Sequence, residues 1–173
     1  KGVVFASFTD SSLQGSNFSQ DLRNRGLLYP NLMKRVWDVN PGLGGPIVRD
    51  RVWFYTSVRS NGAWNFVPGM LFNRNANNPD AWTFDADPDA PASNEHTWKD
   101  VHVRLTSQLT QRHKIAISFD AQSACKCPNS ISATTAPEAT IERRFPRQPS
   151  VQGDWTFPAT SRRVGLRAAR WRR

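Results

Sequence analysis

The sequence predicts an all-β fold: antiparallel up-and-down strands, about five or six of them, forming part of a transmembrane β-barrel wall with long extracellular loops. Three observations predict it. The best-defined segments alternate apolar and polar residues with a period of two, which sends successive side chains to opposite faces of a strand. Their arms are long, matching the ~9–11 residues that cross a bilayer rather than the ~5–6 common in soluble sheets. Connections alternate between short and long, as tight turns and large loops do on the two rims of a membrane barrel. A soluble antiparallel sandwich, with one buried and one solvated face, would show the same alternation and is the alternative.

Gly2 to Phe8 reads as the first strand, followed by a long connection from Thr9 to Met33. Val36 to Asn40 and Gly44 to Val48 lead into a tight turn at Val48 to Arg51, and Val52 to Arg59 returns. Val52, Phe54 and Val58 fall on one face of that returning arm, Tyr55, Ser57 and Arg59 on the other. The Pro41 to Pro46 stretch predicts a kink or bulge in the incoming strand, because proline cannot donate to a ladder and glycine weakens one. A long loop is expected from Asn61 to Thr97. The clearest hairpin follows: Val101, Val103, Leu105, Ile115, Ile117 and Phe119 share one face, with Asp100, Arg104, Ser118 and Asp120 on the other. Its turn is Thr110 to His113. Ser123 to Thr160 reads as a further long loop, and Ser161 to Ala168 as the last strand, with Val164, Leu166 and Ala168 alternating against Arg163 and Arg167. Residues 1–168 are thus assigned to the partial barrel and 169–173 to a basic tail.

Composition narrows the function classes. Only 38% of residues are hydrophobic, and no run approaches the ~18 apolar residues of a spanning helix. The net charge of +9 owes much to six arginines between Arg162 and Arg173, so it does not form the basic face that nucleic acid requires. No cofactor is expected. Cys125 and Cys127, placed in a loop, lack the second ligand pair of a zinc site. Asp85, Asp87 and Asp89 lack the glycine and terminal glutamate of a calcium loop. Gly42 to Gly45 precede no helix that could receive a phosphate. His96, His102 and His113 are scattered and no nucleophile elbow is present, so no enzymatic activity is expected. The remaining candidates for binding an extracellular ligand lie in the long loops: Trp64, Phe66, Asn73, Arg74, Asn75 and Trp82, aromatics and amides suited to stacking and hydrogen bonding.

Several segments resemble one family. Gly44-Gly45-Pro46-Ile47-Val48-Arg49-Asp50-Arg51-Val52-Trp53-Phe54 is similar to a hairpin of TonB-dependent outer-membrane receptors, above all the Oar-like group with an N-terminal carboxypeptidase-regulatory-like domain. Thr97-Trp98-Lys99, Arg104-Leu105-Thr106 and Gln111-Arg112-His113-Lys114-Ile115 resemble the next hairpin, and Cys125 to Pro128, Thr135 to Ala139 and Phe145 to Gln148 resemble loops of that group. The resemblance implies an outer-membrane location, contact with outer-membrane lipid, and a plugged barrel of about 22 strands. It also implies uptake of a scarce ligand, such as a siderophore, cobalamin, a glycan or a peptide, with the TonB complex as partner of the full-length receptor. The plug domain, the TonB-contacting segment and the aromatic-ended final strand of that family are not present. The chain therefore reads as an internal barrel piece, inactive alone, with its Arg-rich end the product of truncation or a shifted reading frame. The functional alternative is a soluble β-sandwich module that binds a ligand or glycan.

Overall fold

The computed structural model describes residues 1–26, 30–160 and 163–172, with side chains as far as residue 158. Seven strands are formed: β1 (Gly2–Thr9), β2 (Met33–Val48), β3 (Val52–Asn73), β4 (Ala86–Gln108), β5 (Lys114–Asn129), β6 (Ile141–Thr160) and β7 (Arg163–Arg172). They make one sheet in the order β1-β2-β3-β4-β5-β6-β7, every neighbouring pair antiparallel. The fold is all-β and up-and-down, and the sheet is open rather than closed into a barrel. A short helix, α1 (Gln20–Asn24), sits in the β1–β2 connection, capped by the Ser19 hydroxyl accepting from the Leu22 N–H.

Register follows from the alternation that the sequence displays. On one face Phe54, Leu105, Ile117 and Gly153 form a row across four strands, and Thr56, Val103, Phe119 and Val151 form the next. On the other face the corresponding rows are Tyr55, Arg104, Ser118, Gln152 and Ser57, His102, Asp120, Ser150. The β4–β5 ladder keeps one register from His96↔Lys126 to Gln108↔Lys114, as a hairpin with a single consistent pleat should. Among the described residues nothing covers the apolar face: Leu105 is 48% and Ile117 54% exposed, and the buried apolar side chains are Ala92, Ala116, Ile131 and Pro137. Among the described residues this is a single layer without a conventional core, and no second sheet faces it as a sandwich would require.

Four expectations are corrected. The first concerns β6, which occupies Ile141–Thr160 inside the expected Ser123 to Thr160 loop and brings the strands to seven. Its prolines, Pro146, Pro149 and Pro158, argue against a strand in sequence. Yet Val151, Trp155 and Phe157 alternate against Gln152, Asp154 and Thr156, and that signal prevails.

Second, most of the expected Asn61 to Thr97 loop is hairpin, because β3 runs on to Asn73 and β4 begins at Ala86. Backbone pairing continues there while the alternation fades, as it can where neither face must be apolar. Third, the expected bulge at Pro41 to Pro46 is not formed: the β2–β3 register is constant from Arg35 to Pro46, and the irregularities fall outside it, at Lys34 and Ile47. The glycines admit a ring instead. A Cβ on Gly42 would lie 3.0 Å from the Tyr55 hydroxyl, and one on Gly44 3.1 Å from Tyr55 Cδ2. Fourth, Cys125 and Cys127 stand on β5 rather than in a loop, because β5 stays paired with β6 as far as Asn129.

β7 continues past Ala168 to Arg172. Its register sets Leu166 opposite Thr156 and Arg167 opposite Trp155, out of phase with the alternation of β6.

Candidate functional site

The polar face gathers charged groups that are distant in sequence. Arg59 donates to Asp38 through Nε at 3.0 Å and Nη2 at 2.7 Å, a two-point fork between β3 and β2. His102 Nδ1 lies 2.6 Å from Asp120 Oδ1, directly across the β4–β5 ladder. Arg104 reaches Asp154 at 3.4 Å, and Gln152 donates to the other oxygen of Asp154 at 3.1 Å. A shallow depression of about 410 Å³ lies among them, lined by Ser57, Arg59, Asn61, Trp98, Asp100, His102, Asp120 and Gln122. Asn61 Oδ1 and Asp100 Oδ2 are buried in it without hydrogen-bond partners. Two such acceptors favour a donor arriving from outside the sheet, since an unpaired buried oxygen carries a desolvation cost.

Ser57, His102 and Asp120 stand side by side in one row of this face, the residue types of an acyl-transfer triad. Among the described residues no hydrogen bond joins the Ser57 hydroxyl to the His102 ring, and the backbone N–H groups of a strand serve its ladder rather than an oxyanion. His96 contacts Asn129 at 3.3 Å and His113 accepts from Trp155 Nε1 at 3.2 Å, so the three histidines occupy separate settings. Among the described residues no group of three or more His, Cys, Asp and Glu side chains is arranged to hold a metal ion. Cys125 and Cys127 are joined in a disulfide, and Asp87 is engaged by Arg74 at 3.3 Å.

The sequence-nominated ligand residues separate into three settings. Trp64 and Phe66 stand on β3, not in a loop, and form a platform near the long-connection rim. Trp64 meets Trp37 edge-on with centroids 5.2 Å apart, while Lys34 Nζ lies 5.4 Å from the Trp64 ring and 5.8 Å from that of Phe66. Lys34 is itself held by Glu95 at 2.6 Å and Ser93 at 3.2 Å. These rings are therefore largely occupied by their own neighbours. Asn73, the last residue of β3, and Asn75 are spent on the β3–β4 connection: Asn73 Oδ1 accepts from the Asn75 and Asp85 N–H groups, and Asn75 Nδ2 donates to the Thr83 carbonyl. Arg74 is turned to Asp87. Trp82, 96% exposed, is the one of the six whose ring is open to an incoming ligand.

No protein-family model, curated protein or solved structure matches the chain. The polar-face depression was not foreseen from sequence. Its members are the odd positions of Ser57 to Asn61, the even ones of Trp98 to His102, and Asp120 and Gln122, and only the registers of β3 against β4 and of β4 against β5 bring the three sets together.

Proposed function

We propose that the chain is a sector of the wall of an outer-membrane β-barrel, in a receptor of the TonB-dependent kind that takes up a scarce extracellular ligand. The observation that carries this reading is the uncovered apolar face. Val101, Val103, Leu105, Ile117, Phe119 and Val151 are all at least 38% exposed on one side of a sheet whose other side bears Asp38, Arg59, Asp100, His102, Arg104 and Asp154. Burying an aliphatic or phenyl side chain of this size is worth about 1.5–3 kcal/mol. Water cannot supply that burial, and lipid can.

The dimensions agree. On β3 the row of Trp155 begins at Val52 and the row of Trp37 at Gly62, ten residue steps apart. At ~3.3 Å per residue and a ~45° tilt, that corresponds to ~23 Å of depth, close to the ~25 Å apolar band of membrane barrels. Lys99 lies at the upper margin, where a long stem can carry its ammonium to the interface. On this reading the long connections face outward, with Trp82 offered to the ligand, and the polar face lines the lumen. Strands beyond the seven complete the wall, because an open edge in lipid leaves N–H and C=O groups unsatisfied at several kcal/mol each. The likeness of the Gly44 to Phe54 hairpin to TonB-dependent receptors supports the family assignment and, with it, energy supply through TonB in the full receptor.

The test is to express the protein and fractionate the cells. Recovery in outer membranes, resistance to alkaline extraction, and quenching of Trp155 by lipids brominated near the headgroup end of the chain are expected. A monodisperse species that stays in solution without detergent rejects the reading.

A further inference from the structure

Resting on the membrane reading above, we propose that the rim carrying the short turns is a docking surface for anionic phospholipid headgroups. Arg49 and Arg51 flank Asp50 in the β2–β3 turn, Arg112 and Lys114 lie at the β4–β5 turn, and all four cations are exposed. Among the described residues no carboxylate lies within ion-pair distance of any of them, whereas Lys34, Arg74 and Arg144 at the opposite end are paired with Glu95, Asp87 and Glu142. The four cations of the short-turn rim thus carry no counter-ion among the described residues and stand together along one edge of the apolar band.

That rim is built rather than loose. The Arg51 N–H donates to the Val48 carbonyl at 3.1 Å, and the Arg51 carbonyl accepts from the Gln108 N–H at 2.8 Å, tying one turn to the strand that leads into the other. Gln108 Nε2 then donates to the Thr110 carbonyl at 2.8 Å. Immediately inside lies an aromatic stack: Trp155 and Phe157 at 4.8 Å between centroids, with His113 against Trp155 at 5.6 Å. Along the strands the order is therefore aliphatic, aromatic, cationic. Half a bilayer has the same order, with hydrocarbon, then the interface that aromatic rings favour, then phosphate headgroups. The cations lie along the edge of an apolar band and line no pocket, which favours a lipid surface over a free phosphate.

The experiment uses the whole chain and sedimentation with vesicles of phosphatidylcholine alone or of an equimolar mixture with phosphatidylglycerol. Binding to both is expected, stronger on the anionic vesicles and weakened there by salt. Removing Arg49, Arg51, Arg112 and Lys114 as glutamines should lower binding to the anionic vesicles by about fivefold per charge and leave binding to the neutral ones unchanged. Glutamine at Arg74, Arg143, Arg144 and Arg147, on the opposite rim, serves as control. An equal loss in the control, or equal binding of the unaltered chain to both vesicles, overturns the docking surface alone. So does competition by inorganic phosphate beyond that of chloride at matched ionic strength. Failure to bind either vesicle overturns the membrane reading and this inference with it.

Discussion

Arg59 grips Asp38 with both of its donor nitrogens, although its direct neighbour across the β3–β4 ladder is Asp100. The choice leaves Asp100 Oδ2 buried without a partner. One guanidinium cannot fork two carboxylates on opposite sides, and the planar match of fork to carboxylate decides for Asp38.

Asp38→Asn is therefore expected to release Arg59 toward Asp100. In a double-mutant cycle by urea unfolding in detergent, Arg59→Gln and Asp100→Asn should be weakly coupled in the native background and more strongly coupled once Asp38 is Asn. Coupling that does not change on that substitution would show Arg59 fixed by something other than the fork.

Gly62 is the cross-strand neighbour of Trp37, and a Cβ there would overlap the Trp37 ring. Gly62→Ala should displace the ring, break its edge contact with Trp64 and destabilise the sheet by about 1–3 kcal/mol, the usual cost of overpacking. Near-ultraviolet circular dichroism reads the Trp37–Trp64 pair directly. An unchanged spectrum would mean that the ring moves aside freely.

The two faces should respond oppositely to the same charge. Leu105→Arg places a cation on the uncovered apolar side and should cost about 2–4 kcal/mol of stability in bilayers. Gln122→Arg lies on the polar side beside Asp100 and should stay within about 0.5 kcal/mol. Equilibrium unfolding from vesicles measures both. Equal costs would remove the case for a lipid-facing side.

Asp10, in the β1–β2 connection, accepts from the Ser12 hydroxyl at 2.6 Å and the Ser12 N–H at 2.8 Å, and these bonds hold its carboxyl below the ordinary aspartate range. A depressed folded-state pKa contributes order above the unfolded pKa and loses it as pH falls through the folded one. The turn at Ser11 to Leu13 should accordingly stay formed at neutral pH and open in strong acid. Ser12→Ala should raise the Asp10 pKa, as carboxyl-carbon NMR titration would report; no change would assign the shift elsewhere.

Legibility in the sequence followed the physical demand on each face. Between Val101 and Phe119 one side must be apolar and the other polar, so alternation was strict and the register could be read in advance. Beyond Asn61 and before Thr97 that demand weakens, and the strand continues through backbone pairing that leaves little trace in side-chain pattern. β6 was hidden by prolines although its alternation was present. The polar-face depression was out of reach for a different reason: Arg59, Asp100 and Asp120 are brought together by the pairing of three strands, and pairing is not a local property.

The seven strands pair antiparallel in chain order, so β1 and β7, the outermost two, run in the same direction. They cannot be sewn to each other in the antiparallel sense. An all-antiparallel closure of this wall takes an odd number of further strands, since an even number would leave one seam with both strands pointing the same way. The direction of its two borders thus sets an arithmetic condition on any partner segment, independent of ligand, lipid or sequence.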